Sequence, residues 1–302
     1  MTPSTHRLAV PSLKPLRGVR VLSLALNLPG PAALMRLNAM GATCLKAEPL
    51  GKDGGCGDPM GAYNRAAYDT MHSGIKVLRL DLKTEKGQTA LHKELARTDV
   101  LLTSFRPSAL NKLGLGWKSL HKQYPALSVV AIVGAPGERA EEPGHDLTYL
   151  AEAGLVTGLE LPTTLFADMG GSLMASEAAL KAVLQQNISG KSSFQEIALS
   201  DAAHWLALPR TWGLTMPKGA VGGAHAGYRI YPCKNGRVAV AALEPHFASA
   251  LCQAAGVEVK GLGCLFKAET HAAIAAFLAN KTRQQLEKLA VVRDIPLHTL
   301  AN

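Results

Sequence analysis

Aromatic residues are scarce in this chain, at only 5% of its 302 residues. Basic residues outnumber acidic ones by 32 to 23, which gives a formal net charge of +9 at pH 7, but they are scattered along the sequence. A surface that binds single-stranded nucleic acid needs aromatic side chains between its basic ones. The composition therefore disfavours nucleic acid as a partner and favours a small anionic ligand or a generally basic surface.

The sequence also lacks a CxxC pair, a long apolar stretch and a signal peptide. It has five cysteines, an odd number, which indicates reduced thiols and neither a disulfide frame nor a zinc site. No stretch reaches the roughly 20 apolar residues of a membrane span, and the segment MTPSTHRLAVPSLKPLRG carries no apolar signal core. We therefore expect a cytoplasmic protein that is not bound to membranes.

What the chain does have is material for a core, because 47% of its residues are hydrophobic. Its length predicts two packed lobes rather than one domain. Short apolar runs alternate with helical patterns over its first two thirds, which predicts an α/β fold with an open parallel sheet. The predicted strands span residues 18–26, 43–47, 76–82, 99–103, 127–134 and 194–199. The predicted helices span residues 33–40, 84–97 with Thr84 as N-cap, and about 171–186.

The last third of the chain predicts a smaller α+β lobe. Its start, 213–227, is rich in glycine, proline and alanine and is expected to be a linker. Two β-like runs then flank the sequence CKNG, a hairpin signal, and three helical patterns follow at about 246–255, 269–279 and 282–290. The expected division is a large domain over 1–212, the linker, and a small domain over 228–302.

The turn after the first strand, Asn27–Pro31, stands where a dinucleotide fold carries its phosphate loop. The GxGxxG pattern is absent, and prolines remove amide donors that a phosphate needs. Nicotinamide and flavin are therefore disfavoured, and we expect no prosthetic group and no metal. A rigid turn that directs the first helix accounts equally well for Gly30.

Two polar clusters follow strands further along the chain. In PGHDLTY, Asp146 is placed to cap a helix that begins at Leu147, which leaves His145 just before the positive end of that helix as a neutral ring able to accept a proton. In LFADMGGS, Asp168 ends an apolar run. Gly170 and Gly171 would let a ligand approach the backbone, with helix amides facing a developing oxyanion. Plain N-capping or a solvated histidine are the structural alternatives.

A third candidate is Glu244 in the sequence EPH, which ends the hairpin because Pro245 cannot continue the strand. That position is near the expected boundary of the two lobes, where ligand clefts form. A solvated glutamate is the structural alternative.

Several segments, in this order, resemble the family III CoA-transferases over about residues 15–300. They are GVRVLSLALNLPGPAALMRLNAMGATCLKAEP, SGIKVLRLDLKTEKG, TDVLLTSFRPSALNKLGLGW and YPALSVVAIVGAPG. Within that family, GHDLTYLAEAGL, FADMGGSLM and AALEPHF resemble the α-methylacyl-CoA racemase branch. The resemblance implies a Rossmann-like large lobe with a small lobe, in an interlocked homodimer, and a CoA thioester as substrate.

The racemase branch implies that His145 and Asp168 flank the carbon next to the thioester carbonyl, with Glu244 as a third active-site carboxylate. Removing and returning the proton on opposite faces of a 2-methylacyl-CoA would invert that centre. In the transferase branch, the alternative, Asp168 would instead form a mixed anhydride with the acyl group, and the histidine position is usually aromatic.

The resemblance also implies residues that contact CoA, and it has departures. Lys76 and Arg106 occupy positions of the family's CoA-contacting cations, and Gly134, Gly170 and Gly171 are expected to line the CoA site. The loop between residues 154 and 165 is shorter than usual, and the sequence ends at RDIPLHTLAN where the family generally continues back to the large lobe. A CoA-binding homologue with weak or no turnover is therefore a third interpretation. The acyl group has no sequence signature.

Overall fold

The computed structural model of the protein describes residues 13–51, 55–259 and 261–301. They form two compact units, one ending at Ala207 and the other beginning at Leu208. Most of the segment in which we found no signal-peptide core lies outside the described residues. No helix in the described ranges is long and apolar enough to cross a membrane.

The first unit is built on a parallel sheet, as predicted from the alternating strand and helix patterns. Its strands are β1 (Arg20–Ser23), β2 (Thr43–Glu48), β3 (Lys76–Arg79), β4 (Val100–Thr103), β5 (Ser128–Val133) and β6 (Phe194–Ala198). They lie in the order β3-β2-β1-β4-β5-β6, and every adjacent pair is parallel. This is the doubly wound order, whose direction reverses between β1 and β4.

Nine helices connect or flank these strands within the described ranges. They are α1 (Pro29–Ala39), α2 (Pro59–Tyr63), α3 (Arg65–Met71), α4 (Glu85–Leu95), α5 (Pro107–Lys112), α6 (Trp117–Gln123), α7 (Asp146–Glu152), α8 (Phe166–Ser189) and α9 (Leu199–Thr211). The predicted cap of α4 is confirmed, since Thr84 Oγ1 accepts a hydrogen bond of 3.1 Å from the Gly87 amide. α9 was not predicted.

The sheet is covered on both faces, which explains why its strands are apolar throughout. Successive side chains of β4 point to opposite faces. Val100 and Leu102 join the core beneath α1 and α8, whereas Leu101 joins the core beneath α4, α5 and α6. All three are 1% exposed or less. The loops that follow the strands are therefore held by a rigid three-layer framework.

α8 begins five residues earlier than predicted, because Gly170 and Gly171 do not interrupt it. A Cβ at Gly171 would collide with Leu199 Cδ2, and one at Gly170 would lie 3.3 Å from atoms of Ala202 and Leu206. The two glycines therefore allow α8 to pack closely against α9. The backbone at these two glycines is therefore part of a helix and not the open turn that the sequence led us to expect.

The second unit has an antiparallel sheet of β7 (Tyr228–Cys233), β8 (Gly236–Ala241) and β9 (Leu297–Leu300). The hairpin predicted from CKNG joins β7 and β8, and β9 was not predicted. The helices of this unit are α10 (Pro245–Ala254), α11 (Ala268–Ala279) and α12 (Arg283–Arg293). The end of the segment expected to be a linker is packed, since His225 and Ala226 are buried.

Candidate active site

A cavity of about 330 Å³ lies at the carboxyl edge of the sheet in the first unit. It is lined by residues that follow β1, β4 and β5, among them Asn27, Arg106 and Gly134. The strand order reverses between β1 and β4, and ligands of open α/β sheets bind outside the carboxyl ends of the strands at this point. The fold itself therefore places a ligand site here.

His145 and Asp168, which are 23 positions apart in the chain, both line this cavity. His145 is the N-cap residue of α7 and is exposed, and its backbone amide donates a hydrogen bond of 3.1 Å to Thr148 Oγ1. Asp168 is half-buried in the first turn of α8. The two side chains therefore line one cavity that is open to solvent.

Asp168 is a carboxyl group that takes up its proton near neutral pH. Burial raises its pKa from 3.8 to about 7, and the negative charge of Asp146 adds to the effect. The amino end of a helix favours the ionised form, but by only about 0.3–1 kcal/mol, whereas this increase corresponds to about 4 kcal/mol. Desolvation outweighs the helix dipole, and both protonation states of Asp168 are populated at pH 7.

Asp146 does not cap its own helix, which corrects the role expected from the sequence. α7 begins at Asp146 itself, with His145 as the N-cap. The Asp146 Oδ1 atom instead accepts a hydrogen bond of 2.9 Å from the backbone amide of Asp168, and the Asp146 side chain is buried. Asp146 thus ties the start of α8 to the start of α7 and holds a negative charge beside Asp168.

Tyr149 fills the floor of the cavity and was not singled out from the sequence. Its hydroxyl group lies against Gly134 and Gly144, where a Cβ on either residue would collide with it. Burial raises the pKa of Tyr149, and the charge of Asp168 contributes to the same direction. The two glycines are thus needed to admit a tyrosine hydroxyl near the carboxyl group.

Asn27, in the turn that follows β1, was also not singled out as a site residue. Its backbone φ is +64°, the left-handed region that asparagine tolerates better than most residues. Its backbone amide donates a hydrogen bond of 3.0 Å to Asp58 Oδ1, and its side-chain Oδ1 accepts a hydrogen bond of 3.2 Å from the Tyr63 hydroxyl. An asparagine in the turn after the first strand is the only local signal that could have marked it.

A buried charged cluster fixes Asp58 in turn. Asp58 is 1% exposed and forms an ion pair with the ammonium group of Lys46, which is fully buried. That ammonium group also lies 3.0 Å from His72 Nε2 and 3.4 Å from Glu48 Oε2. Burial and the charge of Lys46 lower the pKa of His72, which favours a neutral ring that accepts from the ammonium group.

Comparison with known proteins identifies the family of the chain. Residues 16–302 match the model of CoA-transferase family III. The chain belongs to CoA-transferase family III. Mouse alpha-methylacyl-CoA racemase is 30% identical over 265 residues, covering 82% of this chain and 66% of the racemase. Succinyl-CoA–D-citramalate CoA-transferase of Chloroflexus aurantiacus is 32% identical over 202 residues, covering 62% of this chain and 49% of the transferase.

Solved structures show the same fold. A hypothetical protein from Mycobacterium tuberculosis superimposes with a TM-score of 0.82 at 24% identity, covering 96% of this chain and 86% of that one. The α/β architecture with its six-stranded parallel sheet is therefore that of family III CoA-transferases. The chain spans about half to two thirds of the length of the two curated relatives named above.

The cations predicted to contact CoA lie at opposite ends of the strands in this family III chain. Arg106 lines the cavity at the N-terminus of α5, and its guanidinium group has no ion pair or hydrogen bond within the described ranges. Lys76 is the first residue of β3 and is exposed. Because the strands are parallel, Lys76 lies at the amino edge of the sheet, and the structure does not bring it to the cavity.

The remaining predicted site residues are not in the cavity wall. Gly170 and Gly171 lie within α8, where the helical hydrogen-bond pattern occupies their amides, so they do not supply the expected oxyanion donors. Glu244 is an exposed residue of the second unit and is the N-cap residue of α10. Among the described residues no group of three histidine, cysteine or acidic side chains could hold a metal ion.

Proposed function

We propose that this protein is a racemase or epimerase that acts at the α carbon of a 2-methylacyl-CoA by two-base proton transfer. The observation that carries the proposal is the presence of two different titratable side chains, His145 and Asp168, in the wall of one cavity. Inversion of a carbon centre requires an acceptor on one face and a donor on the other.

The reaction balances with these two groups alone. An ionised Asp168 takes the α proton, and the electrons of the C–H bond move into an enolate whose charge lies on the thioester oxygen. A protonated His145 then returns a proton to the opposite face, which leaves the epimer and a neutral imidazole. The reverse direction exchanges the two roles. The raised pKa of Asp168 suits this exchange, because a group that titrates near 7 serves as both acid and base.

The CoA part of the substrate would meet the mouth of the same cavity. Arg106 offers a phosphate a guanidinium group that has no ion pair among the described residues, and arginine pairs with phosphate in good geometry. Gly134, directly after β5, lines the same cavity. The chemistry needs no prosthetic group, since the thioester itself acidifies the α proton. Lys76 and Glu244 stay predictions.

The proposal is tested with one epimer of a 2-methylacyl-CoA in deuterated water. We expect deuterium at the α carbon and loss of optical purity, followed by NMR and chiral chromatography. His145→Ala should lose most of this activity, because one face of the substrate loses its proton donor. His121→Ala replaces an exposed histidine on α6, outside the cavity wall, and should retain it. A wild-type protein without α-deuterium incorporation would contradict the proposal.

A family III CoA-transferase is the second candidate. It is favoured by the exposed position of His145, because an acyl transfer through an anhydride at Asp168 needs no histidine. In that case CoA would pass between carboxylic acids, Asp168→Asn would be inactive and His145→Ala would be nearly as active as the wild type. Binding of acyl-CoA in calorimetry without either reaction would point to a homologue that binds without turnover.

We also propose that the protein is a homodimer. Apolar side chains lie exposed along one side of α8, at Phe166, Met169 and Leu173, and the nearby α9 carries Trp205, which is 69% exposed. Monomeric proteins rarely leave such a contiguous apolar surface in water. Sedimentation velocity should give a species of two chains, and a monomer at micromolar concentration would contradict this.

A further inference from the structure

Both proposed reactions place negative charge on the thioester oxygen, and the site needs a hydrogen-bond donor for it. The sequence led us to expect the amides of Gly170 and Gly171 in this role. Those amides lie inside α8, and the Asp168 amide donates to Asp146. Another wall of the cavity can supply the donor.

Asn27 lines the cavity, and its side-chain amide nitrogen, Nδ2, is a hydrogen-bond donor. Its Oδ1 atom is already an acceptor for the Tyr63 hydroxyl, at 3.2 Å. This bond orients the amide group, so that Nδ2 with its two N–H groups is the other end. Within the described ranges Nδ2 has no hydrogen-bond partner, and Asn27 lines the cavity that Asp168 also lines.

The backbone of Asn27 is held rather than free. The left-handed φ of +64° has a conformational cost for a residue with a Cβ. Asp58 offsets this cost, because its Oδ1 atom accepts a hydrogen bond from the backbone amide of Asn27. The same Asp58 Oδ1 atom accepts a second hydrogen bond, of 2.9 Å, from the backbone amide of Met60. Since Asp58 is buried against the ammonium group of Lys46, the position of Asn27 is determined by a fixed charge pair.

Asn27 is also close to the carboxyl group that would exchange protons with the α carbon. The Tyr63 hydroxyl contacts Asn27, and the charges of Asp58 and Asp168 both contribute to a raised pKa of Tyr63, after burial. Tyr63 therefore lies near Asp168 as well as Asn27. The thioester carbonyl and its α carbon are adjacent atoms, so their two protein partners must be near each other.

We propose that Asn27 binds the thioester carbonyl oxygen by donating a hydrogen bond from Nδ2, with Tyr63 and Asp58 as positioning residues. This inference rests on the proposed acyl-CoA site but on neither reaction in particular. In the racemase the bond strengthens as the α proton leaves and the oxygen becomes an enolate. In the transferase it strengthens as the Asp168 carboxylate attacks the carbonyl carbon and the C=O electron pair moves onto oxygen, before CoA thiolate leaves.

The test measures the carbonyl directly, without turnover. Acetyl-CoA with ¹³C at the carbonyl is bound to the protein, and its C=O stretch is recorded by isotope-difference infrared spectroscopy. A hydrogen bond lowers this frequency, so we expect a lowered band with the wild type. With Asn27→Gly the band should return most of the way to the position of free acetyl-CoA. Tyr63→Phe, which frees the amide to rotate, should give an intermediate band.

In the same variants the rate of the chemical step should fall much more than the affinity for acetyl-CoA. Loss of one neutral hydrogen bond should weaken binding of acetyl-CoA by less than about tenfold. Loss of an oxyanion donor should lower the rate of the chemical step about 10²- to 10³-fold. A merely structural role would instead lower affinity and rate together. Asn27→Gly should keep the backbone in place, because glycine adopts the left-handed conformation readily. Asn27→Asp is a second variant, of the same shape as asparagine, which also removes the Nδ2 donor and can adopt the same backbone conformation.

Tyr149→Phe is the matched control, since it removes another cavity-lining donor, the Tyr149 hydroxyl, which has no hydrogen-bond partner within the described ranges. The inference is overturned if Asn27→Gly leaves the bound carbonyl band where the wild type has it, or if Tyr149→Phe alone returns it to the free position. If the wild type lowers the C=O frequency but shows no α-deuterium exchange, the racemase proposal is contradicted and the role of Asn27 is retained. Failure of the wild type to bind acetyl-CoA would overturn both.

Discussion

Replacement of Asp146 by asparagine would isolate the electrostatic part of the tuning of Asp168. The two residues come from different helices and are joined by one hydrogen bond, from the Asp168 amide to Asp146 Oδ1. An asparagine side chain has the same shape and keeps an oxygen that can accept this bond. The substitution therefore removes a buried negative charge while leaving the contact between α7 and α8 in place.

The size of the effect follows from the pKa of Asp168. Its increase from 3.8 to about 7 corresponds to about 4 kcal/mol in favour of the protonated form. Burial is the larger cause and the charge of Asp146 the smaller one, so less than half of this energy, at most about 2 kcal/mol, disappears with Asp146→Asn. The pKa of Asp168 should fall but stay above 3.8.

The assay is the pH dependence of α-proton exchange, measured from both epimers of the substrate. In the direction in which Asp168 accepts the proton, activity is lost below its pKa, and in the other direction activity is lost above it. Both limits should move to lower pH in Asp146→Asn. A carbon-13 NMR titration of the Asp168 carboxyl group reports the same change without turnover.

The matched control is Glu152→Gln, which removes a negative charge from the exposed end of the same helix, where the carboxylate pairs with Arg139. It should leave the pKa of Asp168 nearly unchanged, because exposed charges are screened by water and salt. An Asp146→Asn protein whose pH limits stay in place or move to higher pH would refute the assignment of this electrostatic role to Asp146.

Three further predictions concern stability. Asp168→Asn should stabilise the protein by up to about 4 kcal/mol at pH 8 and hardly at all near pH 4, because the wild type loses stability as pH rises from 3.8 through 7. Urea unfolding at both pH values measures this difference. An equal effect at the two pH values would contradict it. Gly171→Ala should destabilise by about 1–3 kcal/mol through overpacking, whereas Gly158→Ala, in open space, should change little in the same unfolding assay. Lys46→Met should lower the free energy of unfolding by about 3–5 kcal/mol, because it leaves buried carboxylates unpaired. Lys181→Met, in an exposed ion pair, should lower it by less than about 1 kcal/mol. Similar losses in both variants would contradict this.

Most of the sheet could be predicted because its signals are local. The strand over Thr43–Ala47 extends by one residue to Glu48 in the structure, and the helix predicted after Thr84 is present with that cap. Apolar runs of five or six residues between turns suffice to mark buried strands. By contrast β9, with the sequence LHTL, has polar residues between its two leucines and no apolar run to mark it. It forms a strand by pairing with β8.

The residues that line the cavity were predicted in part. His145 and Asp168 stand out because polar residues follow apolar strands or begin helices, and those are positions at a sheet edge. Asn27 and Tyr149 did not stand out, because their significance depends on contacts with Asp58, Gly134 and other distant parts of the chain. Lys76 was assigned by resemblance to a cation position, and the direction of its strand places it at the other edge of the sheet.

The sequence by itself determined the alternation of strands and helices, the hairpin, and the types of side chain available at the carboxyl edge of the sheet. These depend on periodicity and turn residues, which act over a few positions. The tertiary structure alone decided where α8 begins, that Gly170 and Gly171 serve helix packing, and that Asp168 holds its proton near neutral pH. Burial and the charge of Asp146 set that pKa, and both depend on segments that folding brings together.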